Sequence, residues 1–102
     1  MSHVIVKLTQ GNINSNHIYL SSVIDFFPPS ALGTGNVKTG KGQELELHYG
    51  LDKPIYTDID GKKKFFRKRS WVKTFFTNYN IKAGDEVIIE HIDDYKFKLY
   101  LA

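Results

Sequence analysis

Cysteine is missing from the chain altogether. That excludes a disulfide framework and any thiolate metal site, and it fits a reducing compartment. No apolar run approaches membrane-spanning length. The opening Met-Ser-His-Val-Ile-Val-Lys has neither the basic region nor the long apolar core of a secretory signal. The basic amphipathic helix that marks many membrane-surface proteins is also missing. The expectation is a chain with no membrane partner, cytoplasmic in a bacterium or nuclear in a eukaryote.

What is present is enough for one globular domain spanning residues 1–102. A hydrophobic share of 41%, with 14% aromatic residues, can bury a core and argues against disorder. The net charge of +3 is modest, but its distribution is not. Lys62, Lys63, Lys64, Arg67, Lys68, Arg69 and Lys73 crowd together with no acid among them. Asp85, Glu86, Glu90, Asp93 and Asp94 crowd near the C-terminus. The charge order predicts a basic side and an acidic side.

The basic run has aromatic residues inside it, Phe65 and Phe66, and an Asp60-Gly61 turn signal before it. It therefore reads as an ordered cationic strand and not as a solvated tail. Such a strand on a folded domain is the footprint of a polyanion, most often nucleic acid. The competing reading is an edge strand whose lysines block aggregation.

Alternation places strands at His3–Leu8, His17–Leu20, Gln43–Tyr49, Ile55–Ile59, Lys62–Arg67, Glu86–His91 and Tyr95–Leu101. Thr9 to His17 reads as a polar, amide-rich loop. Ser22 and Asp25 match a capping box for a short helix that Pro28 must stop. Residues 30–42 read as a loop. Asp60-Gly61 reads as a two-residue hairpin turn with positive φ at both positions. Ser70 is placed to cap a second helix, Trp71–Tyr79, ended by Asn80. About seven short strands joined mostly by tight turns predict mainly antiparallel pairing and a small barrel.

Few motifs point to catalysis. Gly35 to Gly42 approaches a phosphate-binding loop but has Gly42 where a magnesium-holding hydroxyl belongs. His3, His17, His48 and His91 are too scattered for a zinc site. No cofactor and no metal are expected. Trp71 has two readings, a base-stacking platform or a core residue on an apolar helix face, and the second is favoured. Of Phe65 and Phe66, one should point inward. Asp60-Gly61-Lys62, with Asp58 or Asp52, looks like part of a magnesium nuclease motif, and a small nuclease using Asp58, Asp60 and Lys62 is the alternative function. A barrel that binds protein or single-stranded nucleic acid is a third reading.

The order of features resembles the B3-like DNA-binding pseudobarrel, the family of the plant B3 domains and of some bacterial restriction endonuclease recognition domains. The resemblance lies in Arg67-Lys68-Arg69-Ser70-Trp71-Val72-Lys73-Thr74-Phe75-Phe76, in Asn80-Ile81-Lys82-Ala83-Gly84-Asp85-Glu86-Val87, and in Tyr95 to Tyr100. Lys7-Leu8-Thr9 and Ile18 to Phe27 resemble the family's start, although the usual Ile-Pro-Lys is absent. The resemblance implies a mainly β fold, an open seven-stranded pseudobarrel with two short helices. It also implies non-catalytic, sequence-specific binding of double-stranded DNA by two arms in the major groove, with a nuclease domain or subunit as a further partner in a restriction system. Carried onto this chain, the first arm is Lys7 and Gln10 to His17, with Gln10, Asn12, Asn14, Ser15, Asn16 and His17. The second is Tyr56 to Arg69, with Tyr56, Asp58, Asp60 and Lys62. Lys63, Lys64, Lys68 and Arg69 suit phosphates. The amides suit adenine, Arg67 suits guanine, and Asp58 or Asp60 suits a cytosine amine.

Overall fold

The computed structural model describes residues 2–34, 40–51 and 53–102. Among them, the elements in chain order are β1 (His3–Lys7), α1 (Gln10–Ser15), two 3-10 turns (Ser21–Phe26 and Pro29–Ala31), β2 (Leu32–Gly33), β3 (Leu45–His48), β4 (Ile55–Thr57), β5 (Ile59–Asp60), β6 (Phe65–Phe66), α2 (Ser70–Asn78), β7 (Glu86–Asp93) and β8 (Lys96–Leu101). The strands form a five-stranded sheet, in the order β1-β7-β8-β3-β4, and a three-stranded sheet, β2-β5-β6. Neither sheet closes on itself. The fold is thus open and sheet-rich, with eight strands among the described residues where seven were expected. Ile55–Ile59 splits into β4 and β5, the expected strand at His17–Leu20 does not form, and β2 is new, inside a stretch expected to be loop. It pairs parallel with β5, and β3 pairs parallel with β8, while the remaining pairs are antiparallel.

The long strands follow their alternation. Val87 and Ile89 of β7, Phe97 and Leu99 of β8, and Leu45 and Leu47 of β3 are all buried. Each such side chain contributes about 1.5–3 kcal/mol relative to exposure. Helix α2 covers this core with Trp71, Val72, Phe75 and Phe76, its one apolar face. Trp71 is a core residue, its ring 5.6 Å from Phe66 and 5.2 Å from Tyr49, and its Nε1 donates to the Lys68 carbonyl at 2.6 Å. Both Phe65 and Phe66 are buried, where one was expected to point inward.

Four local expectations are corrected. Thr9 to His17 is not a loop. Thr9 caps α1, with its hydroxyl accepting from Asn12 N–H at 3.2 Å, while Asn12 Oδ1 accepts from Thr9 N–H at 2.8 Å. This reciprocal box satisfies two helix-end donors at once. Leu8 and Ile13, on either side of it, both join the core. Asn16, at φ 54°, ends the helix, and His17 N–H reaches back to the Asn12 carbonyl at 3.0 Å. Second, Ser22 caps nothing. Residues Ser21–Phe26 form a 3-10 turn with no side-chain cap. Third, α2 begins at Ser70 itself, and its N-terminus has no side-chain cap. Its end does follow expectation: Asn80, at φ 52°, lets Ile81 N–H bond the Phe76 carbonyl at 2.9 Å.

The fourth correction concerns the hairpin. Positive φ falls on Lys64, not on Gly61. The connection runs through Gly61 to Lys64, and Lys64 N–H closes it onto the Asp60 carbonyl at 2.7 Å. Lys62, Lys63 and Lys64 are therefore turn residues, not strand residues. Gly61 is needed for another reason. Its N–H donates to the Gly33 carbonyl at 2.8 Å, and a Cβ on Gly61 would sit 2.5 Å from that oxygen. The expected strand His17–Leu20 shrinks to one bridge, Tyr19 to Phe65, and one hydrogen bond, Leu20 N–H to the Lys64 carbonyl at 2.7 Å.

Candidate nucleic-acid interface

That bridge brings the two polar segments together. The His17 ring lies 4.4 Å from the Phe65 ring, centroid to centroid, and Tyr19 lies 5.7 Å from the same ring. The Arg69 guanidinium sits 5.3 Å from the Phe65 centroid, and the Lys63 ammonium 6.0 Å from it. Arg69 Nη1 also contacts His17 Nε2. An arginine only donates, so Nε2 must accept and the neutral imidazole carries its proton on Nδ1. Nδ1, 3.0 Å from the Tyr19 oxygen, then donates to it. Tyr19 is left with its own hydroxyl proton and 42% exposure. Burial first, then the charges of Arg69 and Lys63, push the His17 pKa below its ordinary 6.5.

Around this centre the cations lack acids. Among the described residues, no carboxylate lies within ion-pair distance of Lys7, Lys62, Lys63, Lys64, Arg69 or Lys73. The five acids of the C-terminal segment are not in those pairs either, so they leave the basic run unneutralised. Lys64 turns its ammonium to the Gly61 carbonyl at 3.1 Å. Lys7 lines an open cleft of about 640 Å³ beside α1, together with Thr9, Gly11, Ser15 and Tyr19. Lys73 shares a second depression with Asn16. On the exposed side of α1, Gln10 Nε2 donates to Asn14 Oδ1 at 2.9 Å. The pair therefore presents one free amide oxygen and one free amide nitrogen.

Other residues of the expected site are employed by the fold. Asp58 is buried, with Oδ1 accepting from Arg67 Nε at 2.7 Å and Oδ2 accepting from Gly42 N–H at 2.8 Å. Arg67 spends another nitrogen on the Thr34 carbonyl at 2.6 Å. Its hydrogen bond to Asp58 holds its pKa above the ordinary value. Asp58 is thus not a cytosine acceptor, and Arg67 is not a free guanine reader. Asp60 is buried too, and its Oδ1 accepts from the N–H groups of Lys62 and Lys63, each at 3.0 Å. Burial pushes its carboxyl up, but those two N–H groups and the charges of Arg67 and Lys63 outweigh it, leaving the pKa below 3.8. Asn12 is the inner half of the α1 cap and is buried. Lys68 lies 3.5 Å from Glu44. Tyr56 donates to Glu46 at 3.2 Å, in a cluster where Glu46 also meets His48 and Lys96. Tyr56 therefore belongs with Glu46 of β3, and Lys68 with Glu44 just before that strand.

The nuclease constellation fares the same way. Asp58 and Asp60 have structural partners, and Asp52 lies outside the described residues. No group of three or more His, Asp or Glu side chains converges as metal ligands among the described residues. The phosphate-loop resemblance at Gly35 to Gly42 also falls largely outside them, since residues 35–39 are not described.

Two contributors were missed in the sequence. Tyr19 stands between Ile18 and Leu20, both fully buried, and an aromatic at the outward position between two inward ones was the available signal. Lys73 was counted in the basic run but not placed beside α1, because α1 itself was read as loop. No helix among the described residues is long and apolar enough to cross a membrane. No family model, curated protein or solved structure matches the chain.

Proposed function

We propose that this chain is a non-catalytic domain that binds double-stranded DNA sequence-specifically, with a B3-like pseudobarrel architecture. Its place is the recognition module of a restriction endonuclease or of a transcriptional regulator, in the bacterial cytoplasm or a eukaryotic nucleus. A nuclease domain or subunit is the further partner in the restriction case. One observation carries the reading: the end of the first polar segment, at His17, touches Phe65 and Arg69 of the second, and among the described residues no carboxylate lies within ion-pair distance of the cations gathered there.

The chemistry divides by residue type. Lys7, Lys62, Lys63, Arg69 and Lys73 supply charge for backbone phosphates, which sets affinity and register. Gln10 and Asn14, with Ser15 and Asn16 beside them, supply base readout. The free oxygen and free nitrogen of the Gln10–Asn14 pair match the amine and N7 of an adenine edge. Asp58, Arg67 and Asp60 act indirectly, by holding the turn that carries Lys62 and Lys63.

Selection from a randomised duplex pool tests this. One enriched sequence is expected, with log affinity falling against log salt by about 0.9 per phosphate contacted. Equal affinity for every duplex rejects specific readout.

A further inference from the structure

We infer that His17, Tyr19, Lys63 and Arg69 form a single oxyanion site, and that His17 takes up a proton when the anion arrives. The inference rests on the DNA-binding reading for its natural ligand, a backbone phosphate, but the site stands on its own geometry. Three basic groups surround one ring: the His17 imidazole at 4.4 Å, the Arg69 guanidinium at 5.3 Å and the Lys63 ammonium at 6.0 Å from Phe65. Tyr19 adds a hydroxyl whose proton is not used by His17, because Nδ1 is already the donor in that contact. It sits between this cluster and the cleft that holds Lys7.

The groups facing His17 are Arg69 from the segment before α2, Lys63 from the β5–β6 turn and the Tyr19 hydroxyl from its own segment. Asp60 accepts from the Lys63 N–H and feels its charge, but among the described residues no carboxylate lies within ion-pair distance of the Lys63 or Arg69 side chain. Burial first, and then the two cations beside the imidazole, disfavour its charged form, which lowers its pKa. Nε2 is therefore left neutral and holds the guanidinium in place. An oxyanion seated between Arg69 and Lys63 reverses the local sign. It takes over the Arg69 hydrogen bond, and Nε2 is freed to bind a proton and donate to the anion. One proton enters from solvent and no covalent bond to the anion forms. By linkage, affinity is flat above the bound-state pKa of His17. It rises as pH falls toward the free-state value, by at most about tenfold per pH unit for one proton.

The test has two arms. In the first, the imidazole resonances of the whole chain are followed by NMR against pH, with and without inorganic sulfate, which does not titrate there. The His17 pKa is expected to rise with sulfate. Lys63→Gln in the sulfate-free protein is expected to raise it as well. No change at His17 overturns the site, whatever the protein binds. In the second arm, affinity for a fixed duplex is measured at constant ionic strength from pH 5.5 to 8.5, and proton uptake is read by calorimetry in two buffers of different ionisation heat. Between the free-state and bound-state pKa of His17, wild type is expected to take up most of one proton and His17→Gln none, with Tyr19→Phe retaining the uptake at reduced affinity. Wild-type binding with no proton uptake overturns phosphate as the ligand of this site. A sulfate response without duplex binding at any pH keeps the oxyanion site and removes the DNA reading.

Discussion

Arg67 and Arg69 stand two positions apart in the same basic run, and the fold treats them in opposite ways. Arg67 faces inward, bonded to a buried carboxylate and to the Thr34 carbonyl. Arg69 faces outward onto Phe65 and His17, and among the described residues no carboxylate is within ion-pair distance of it. The difference follows from what each must satisfy. Asp58 is 1% exposed and needs a permanent cation beside it, because an isolated carboxylate in the interior is heavily penalised. Nothing in the core asks the same of Arg69. A run of like charge is therefore not one functional unit. Part of it fastens β4, β5 and the approach to β3, and the rest has no ion pair among the described residues.

The comparison breaks most visibly on stability. Arg67→Met leaves Asp58 buried without its counter-charge, and urea unfolding is expected to show a loss of about 3–5 kcal/mol. Arg69→Met removes an exposed cation and is expected to stay within about 0.5 kcal/mol of wild type. Equal losses for the two would contradict the inward and outward assignment.

Binding sharpens the same contrast from the other side. Lys63→Gln with Arg69→Gln is expected to lower the salt slope of duplex binding by about two contacts. Lys68→Gln, on the residue that faces Glu44, is expected to leave the slope nearly unchanged. Fluorescence anisotropy at a series of salt concentrations separates them.

Thr9→Ala gives a smaller effect. It removes the α1 cap and should cost about 1 kcal/mol by chemical denaturation. Affinity should fall more than for a comparable cap elsewhere, since Gln10 and Asn14 are carried by that helix. The least change is expected from Asp60. A carboxyl whose folded pKa lies below its unfolded value adds stability above the unfolded value and loses it as pH falls through the folded one. Wild type should therefore lose slightly more stability than Asp60→Asn as pH drops below about 4. Parallel acid limbs for the two proteins would show that the Asp60 turn contributes no such linkage.

Much of this architecture was legible where one physical demand dominated. In β3, β7 and β8 the period of two reports a single buried face, and in α2 the Trp71–Phe75 and Val72–Phe76 spacing reports a single apolar stripe. Legibility failed where two demands share a residue. Asn12 reads as an amide suited to DNA, yet it closes a helix cap. The signal for α1 was there in Thr9 and Asn12, flanked by Leu8 and Ile13, but amides and Gly11 lower helix propensity and masked it. Gly61 reads as a residue chosen for positive φ, yet it is required by the close approach of Gly33. At the candidate site, charge density located Lys63 and Arg69. It had no means of telling Arg67 from Arg69, because the partner of Arg67 lies across a turn and is known only once the chain is folded.

Strand β1 finds its partner in β7, so that His3 lies opposite Glu90 and Lys7 opposite Glu86. Pairings of such long sequence separation form late, since loop closure must precede any gain from contact. During synthesis the first strand waits, unpaired, until β7 has left the ribosome. Cutting the chain between β4 and α2 would yield two pieces, neither of which owns a complete five-stranded sheet. Mixed together, such pieces should regain structure only as a complementing pair.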